Sequence, residues 1–374
     1  MTDTTAPASD APSNAAAFEV RPNQAPLSVE ARDEALADLK FGTQFTDHMA
    51  RAQWVSGEGW GDRRVEAYGP LQLDPAAAVL HYAQEIFEGL KAYRWADGSV
   101  HLFRPQANAE RFNRSAHRLA LPQLPVEDFI GSIEALVAVD EAWVPGVEES
   151  SLYLRPYMFA SEAFLGVRPA HVIDYLLIAS PVGPYFAGGV KPVSIWVAQG
   201  YHRSGPGGTG DAKCGGNYAA SLLPQQQAYE NGCQQVLFLD AKDDRYLEEL
   251  GGMNVFVVRA DGTIETPRLT GTILEGITRY SVIQLLEDDG RKVVEKDITL
   301  DEVRTGIESG DIAEVFACGT AAVVTPVGRL ASPSFDVTIN GGEPGDVTMG
   351  IRTRLTDIQY GRAEDVYGWM RRIA

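Results

Sequence analysis

Five of the nine residues from Pro181 to Gly189 are glycine or proline, and they follow Val172 to Ser180, a run that is apolar at almost every position. A strand without a polar face must be covered on both sides, which puts it inside a sheet of a layered domain. The Gly/Pro-dense segment after it cannot continue that sheet and carries the marks of a linker. The two features together predict two lobes: a first α/β lobe over 28–181, a linker over 182–190 and a second lobe over 191–374. Each has enough chain to enclose its own core. Residues 1–27, rich in Ala, Thr, Ser, Asn and Pro, hold too little apolar surface to offset ordering entropy and read as a mobile tail.

Within the first lobe, Gly89 to Arg94 and Val100 to Arg104 flank an Asp97-Gly98 turn and read as a hairpin. Pro105 opens a helix that runs through Leu119 before Pro122, and apolar spacing predicts a second helix from about Glu127 to Trp143, followed by a strand from Ser151 to Phe159. The second lobe opens with a strand from Pro192 to Ala198. It then alternates strands (Gln235 to Asp240, Asn254 to Arg259) with helices near 275–287 and 300–309. The class is mixed α/β and α+β in two lobes.

Composition removes several kinds of function. With 32 Lys and Arg against 51 Asp and Glu, the formal charge of −19 repels nucleic-acid phosphates and anionic lipid. No apolar run approaches the ~18 residues of a membrane span. Cys214, Cys233 and Cys318 are odd in number and widely spaced, so neither a disulfide framework nor a paired-cysteine metal motif is predicted. The six histidines lack metal-ligand spacing, and no metal site is expected. The N-terminal stretch has no basic, apolar or amphipathic leader pattern, which predicts a cytoplasmic protein.

One loop stands apart. Ser204 to Cys214 holds four glycines and leads into Lys213-Cys214-Gly215-Gly216-Asn217-Tyr218. It is not a nucleotide phosphate loop, because Gly210 is two residues removed from Lys213 and Cys214 replaces the metal-binding hydroxyl. Lysine is scarce, seven against 25 arginines, and Lys213 has the least surface-like surroundings of the seven. Alone, a lysine in such a loop is more often a surface turn residue than a catalyst.

Its neighbourhood is more specific. The segments Lys213 to Tyr218, Glu249-Leu250-Gly251-Gly252-Met253-Asn254 and Gly319-Thr320-Ala321, with Phe87-Glu88-Gly89-Leu90-Lys91-Ala92 and Ser151-Leu152-Tyr153-Leu154-Arg155-Pro156 upstream, resemble the branched-chain amino acid aminotransferases. The resemblance is collinear from about Phe41 to Trp369. It implies a fold-type-IV enzyme like D-amino acid aminotransferase, with a small α/β lobe, a large pseudobarrel lobe and pyridoxal 5'-phosphate between them. It implies reversible transamination between L-leucine, L-isoleucine or L-valine and 2-oxoglutarate. Two shorter families of the same fold, the D-amino acid aminotransferases and aminodeoxychorismate lyases, are the nearest rivals, and a non-catalytic relic of the fold is the rival of another kind.

Residue by residue, the resemblance makes Lys213 the amine that bonds the cofactor and moves the substrate proton. Glu249 becomes the partner of the pyridine nitrogen, Tyr218 that of the ring oxygen, and Arg111 a cation on the phosphate. Thr272 and Ile273, placed before a predicted helix, would offer backbone N–H groups to the phosphate, and Thr320 a hydroxyl. One substrate pocket must accept both an aliphatic side chain and the carboxylate of glutamate. The resemblance assigns it Tyr82, Phe87, Tyr153, Arg155, the linker residue Tyr185 and the backbone of Thr320 and Ala321. Leu165 and Val167 would reach the partner's pocket in a homodimer. Two departures stand out: Thr320 to Thr325 lacks the cysteine pair of some mammalian members, and Gly252 replaces a threonine found in some relatives.

Overall fold

A computed structural model describes residues 17–184 and 189–374. The apolar run behaves as its composition demands. It forms the strand Val172–Val182, buried along nearly its whole length and paired antiparallel with Ser151–Ala160, Ser151 lying opposite Val182 and Ala160 opposite Ile173. Its one charged residue, Asp174, is buried and satisfied by Arg51, whose Nη2 and Nε donate at 2.8 and 3.1 Å. Around this pair, a sheet of nine strands among the described residues spreads to Gly59–Ala67 on one side and the hairpin Leu90–Arg94/Val100–Phe103 on the other. The helices Pro105–Arg118 and Val126–Val139 cover one face. Their Phe112 and Phe129 pack against each other, and Phe112 meets Tyr175 of the central strand edge-on.

In the second lobe the strands Leu247–Leu250, Gln235–Leu239, Val193–Val197, Val323–Ser332, Ile312–Gly319 and Asn254–Arg259 pair in that order. The pairing Glu249↔Asn254 joins the last to the first and closes a six-stranded barrel. A barrel this small is filled by its own side chains; here Ile195, Val197, Leu237, Val257 and Ala317 are among the residues that fill it. The helices Ile277–Asp288 and Asp346–Gln359 pack outside, over the stacked rings of Phe256 and Phe316. No helix among the described residues is long and apolar enough to cross a membrane.

Two features differ from the sequence reading. Residues 17–27 are not a mobile tail: Phe18 is buried, Glu19–Val20 adds a parallel strand beside Arg64 and Val65, and the Asn23 N–H donates to His48 Nε2 at 2.8 Å. That ring is in turn held by Asp140, 2.7 Å from Nδ1. A segment poor in apolar groups is ordered here by hydrogen bonds that span the lobe, which composition cannot reveal. At the other end, Met370–Arg372 leaves the second lobe and pairs with Val100–Phe103, so the chain's last strand completes the edge of the first sheet.

Candidate active site

A cavity of about 200 Å³ opens between the lobes, and Lys213, Tyr218, Glu249, Arg111, Phe87, Tyr153, Arg155, Thr320 and Ala321 all line it. Nine positions singled out from sequence, drawn from both lobes, thus converge on one space.

The lysine is presented by its loop. Asn217, in the first turn of the helix Gly215–Ala220, donates to the carbonyls of Thr209 and Ala212 at 2.7 and 2.8 Å and accepts from the Thr209 hydroxyl. The Gly-rich segment is therefore tied down immediately before Lys213. The lysine's own backbone is gripped by the first lobe, its N–H donating to Ser115 Oγ and its carbonyl accepting from the Phe87 N–H. Its Nζ lies 2.6 Å from the Tyr218 hydroxyl and 4.8 Å from the Phe87 ring centroid. That tyrosine is its single hydrogen-bond partner among the described residues.

Glu249, 2% exposed, stands on the barrel strand Leu247–Leu250. Its Oε1 accepts from the Leu274 N–H at 2.8 Å and lies 2.9 Å from Arg203 Nη1. Burial pushes this carboxyl above its ordinary range, and Arg203 pulls it back down. Arg111 is buried on the helix Pro105–Arg118, where Nε and Nη2 form a two-pronged pair with Glu88 at 2.7 and 2.9 Å and Nη1 donates to the Glu275 carbonyl. Glu88 thus holds the guanidinium plane facing the cavity.

A free helix N-terminus faces the cavity a little further along the chain than Thr272 and Ile273. Thr272 and Ile273 line a separate hollow with Asp240 and Lys296; the Thr272 hydroxyl bonds Glu248 and Thr270, and its carbonyl accepts from Arg203. The helix begins only at Ile277, capped by Gly276, so the free first-turn N–H groups belong to Ile277 and Thr278, which do line the cavity. Gly276 is required there, since a Cβ would fall on Asn254 Oδ1. The Gly-Ile-Thr triplet directly before the helical period carried this signal.

On the substrate side, the Arg155 guanidinium sits 4.7 Å over Phe87 and 5.3 Å over Tyr153, donates to the Tyr153 hydroxyl at 3.0 Å, and keeps a buried Nε without a partner. An aromatic box with one cation meets both halves of the substrate problem. Opposite it, the Thr320-Ala321 turn is held by Lys91, whose Nζ donates to the Ala321 carbonyl at 2.9 Å. Cys318 also faces the cavity, but burial pushes its thiol up to about 12, which keeps it protonated and unreactive.

Tyr82 departs from its expected place at the chain's own cavity. The short helix Ala78–Tyr82 ends in a left-handed Ala83, which aims Tyr82 outward, and its hydroxyl donates to the Leu165 carbonyl at 2.5 Å. Leu165 and Val167, 66% and 88% exposed, stand with it on the surface of the first lobe. Tyr185 lies outside the described residues. Besides Ile277 and Thr278, four contributors escaped the sequence reading: Phe41, which lines the cavity edge-on to Tyr153, and Glu88, Lys91 and Arg203 behind the lining residues. An acidic residue between Phe87 and Leu90 was a readable sign of a buried pair; Arg203 had no local signal.

Residues 85–330 match the family model described as amino-transferase class IV. The branched-chain-amino-acid aminotransferase of Mycolicibacterium smegmatis is 54% identical over 360 residues, covering 95% of this chain and 98% of the relative. Branched-chain-amino-acid aminotransferase 2 of Bacillus subtilis is 47% identical over 336 residues, covering 90% and 92%. Among solved structures, the Escherichia coli branched-chain amino acid aminotransferase superposes with a TM-score of 0.72 at 27% identity, covering 87% of this chain and all of that one (100%). The T.th. branched-chain amino acid aminotransferase with pyridoxamine 5'-phosphate gives 0.71 at 28%, covering 87% and 99%. The chain belongs to the branched-chain-amino-acid aminotransferases of class IV.

Proposed function

We propose that this chain uses pyridoxal 5'-phosphate to transfer an amino group reversibly between L-leucine, L-isoleucine or L-valine and 2-oxoglutarate, yielding the branched 2-oxo acid and L-glutamate. The observation that carries the reading is the convergence, on one interlobe cavity, of a lysine amine without a carboxylate partner, a buried carboxylate and a buried arginine, beside a helix N-terminus. This donor set fits the cofactor: a primary amine for its aldehyde, an anion for its pyridinium, and a cation with free N–H groups for its phosphate. When bound, the cofactor supplies a carbonyl that takes up the substrate amino group and a conjugated ring that accommodates the electron pair left at Cα.

The chain's own residues do the rest. Lys213 Nζ takes the Cα proton and returns it on the other side of the transfer, while Tyr218 at 2.6 Å orients that amine. Arg111, Ile277 and Thr278 hold the phosphate, and Glu249 keeps a proton on the ring nitrogen. The backbone of Thr320 and Ala321 receives the substrate carboxylate. Phe87 and Tyr153 enclose an aliphatic side chain, and Arg155 pairs with the side-chain carboxylate of glutamate. Tyr82, Leu165 and Val167 serve the cavity of a second copy, closing it against water in a homodimer. The protein works in the cytoplasm on small molecules, without nucleic acid or membrane.

The test is chemical. Borohydride reduction of the purified enzyme should fix the cofactor on the peptide containing Lys213, and Lys213→Ala should lose both that adduct and turnover. A modified peptide from any other lysine would overturn the assignment. Initial rates with the three L-amino acids, against D-alanine, separate this reading from its rivals of the same fold.

A further inference from the structure

Arg203 is 4% exposed, and its charge has no exit to water. It is anchored twice over on backbone. Nη1 donates to the carbonyls of Gly210 and Thr272 at 3.1 and 3.0 Å, and Nη2 to Gly210 at 3.0 Å. The approach of these two loops depends on Gly210, where a Cβ would sit 2.2 Å from the Thr272 carbonyl oxygen. With its position set by those carbonyls, the guanidinium presents Nη1 2.9 Å from Glu249 Oε1. The same oxygen accepts from the Leu274 N–H, so that donor and the guanidinium charge both face Oε1, and Oε2 is the oxygen left for a ligand in the cavity.

We infer that Arg203 is a positioning residue for the transamination, a fixed buried counter-charge that keeps Glu249 an anion and so places the proton they share on the cofactor's pyridine nitrogen rather than on the carboxyl. The inference rests on the reading that Glu249 meets that nitrogen. A carboxyl this deep, facing a pyridine, has two ways to share one proton, and the neutral pair avoids burying charge. Of the cations near Glu249, Arg111 is already shared with Glu88 and faces the phosphate end, while Lys213 is given over to the cofactor aldehyde. Arg203 has no anion other than Glu249 within salt-bridge distance among the described residues, and its anchoring on carbonyls keeps it in place whatever Glu249 does. Burial raises Glu249 and Arg203 is the largest opposing cause, in the sense this role requires. A ring nitrogen without its proton withdraws electrons poorly, so losing the counter-charge should slow proton removal at Cα and leave substrate contacts alone.

The experiment reconstitutes the enzyme with cofactor carrying 15N at the pyridine nitrogen and compares wild type, Arg203→Gln, Arg203→Lys and Glu249→Gln by 15N NMR and steady-state kinetics. Arg203→Gln keeps donors for the carbonyls and removes the charge. Its resonance should move from the pyridinium toward the neutral-pyridine position, with kcat lowered about 10- to 100-fold, the usual scale for an outer partner of a binding group, and KM nearly unchanged. Arg203→Lys, which keeps the charge, should hold the pyridinium position. A pyridinium resonance unchanged in Arg203→Gln overturns the role of Arg203. If Glu249→Gln leaves it unchanged as well, the underlying reading of Glu249 falls with it; if Glu249→Gln shifts it, that reading survives. Should Arg203→Gln fail to fold, Arg203→Lys decides: a neutral pyridine in that variant overturns the inference, and a pyridinium with near-normal kcat supports it.

Discussion

Replacing Gly89 with alanine adds one methyl group to the most crowded point of the substrate wall. Gly89 does not adopt positive φ, so alanine fits its backbone and the effect is steric. The new Cβ would lie 2.1 Å from the Tyr153 hydroxyl oxygen and 2.9 Å from Cζ. To reach an ordinary contact of roughly 3.5 Å, the hydroxyl must withdraw by about 1.4 Å. It cannot do so alone, because the ring packs on Phe41 at 5.0 Å and the hydroxyl takes a hydrogen bond from Arg155 at 3.0 Å. A misplacement of about 1 Å at a positioning group costs on the order of 10²-fold in rate, about 2.7 kcal/mol of transition-state binding. Gly89→Ala should therefore lose about that much kcat/KM with L-leucine and 2-oxoglutarate, while cofactor content and melting temperature change little. Tyr153→Phe removes the clashing oxygen, so the double variant should lose less than the two single losses multiplied. A Gly89→Ala enzyme within twofold of wild type, or a double variant with fully multiplicative losses, would refute the packing argument.

Three further outcomes follow. Glu88→Ala leaves Arg111 as an unpaired buried cation and should cost about 3–5 kcal/mol in denaturant unfolding of the apoprotein, partly restored by cofactor phosphate. Burial, reinforced by Arg352, lowers Lys91 to about 8; between that pH and 10.5 the unfolded chain holds a proton the folded chain has released, so this group's contribution to stability, about 3 kcal/mol in full, grows as pH rises through that window and is absent below it. Over the same window the Ala321 carbonyl loses its charged donor, so KM for amino acids should climb above pH 8, and Lys91→Met should flatten both profiles. Leu165→Asp should impair activity by spoiling the second copy's cavity. Mixing it with inactive Lys213→Ala under subunit exchange should restore activity, whereas an active monomer by sedimentation would remove the shared-site reading.

The sequence disclosed what depends on local order and lost what depends on distance. The helices Pro105–Arg118 and Val126–Val139, the hairpin and the central strands lie close to their predicted bounds, because periodicity and the Pro and Gly stops are local signals. Lys213, Tyr218, Glu249 and Arg111 were legible through motif order. The helix start was placed too early because Thr272 and Thr278 both follow a glycine-containing turn, and only the observed helix start at Ile277 separates them. Arg203 is joined to Glu249 across 46 positions by a closed barrel and two loop carbonyls, a relation with no periodic trace. Residues 17–27 were misjudged for the same reason, their order coming from His48 and Asp47 elsewhere in the chain.

The strand Met370–Arg372 has a bearing on how such a molecule is made. A ribosome delivers the first sheet's other strands early, yet the edge at Val100–Phe103 stays bare until Met370–Arg372 has left the exit tunnel. The nascent protein therefore carries an open, pairing-competent edge throughout synthesis of the entire barrel, the interval in which aggregation competes hardest with folding. A stop placed just before Met370 would leave every cavity-lining side chain encoded and still deny the first lobe its closing strand.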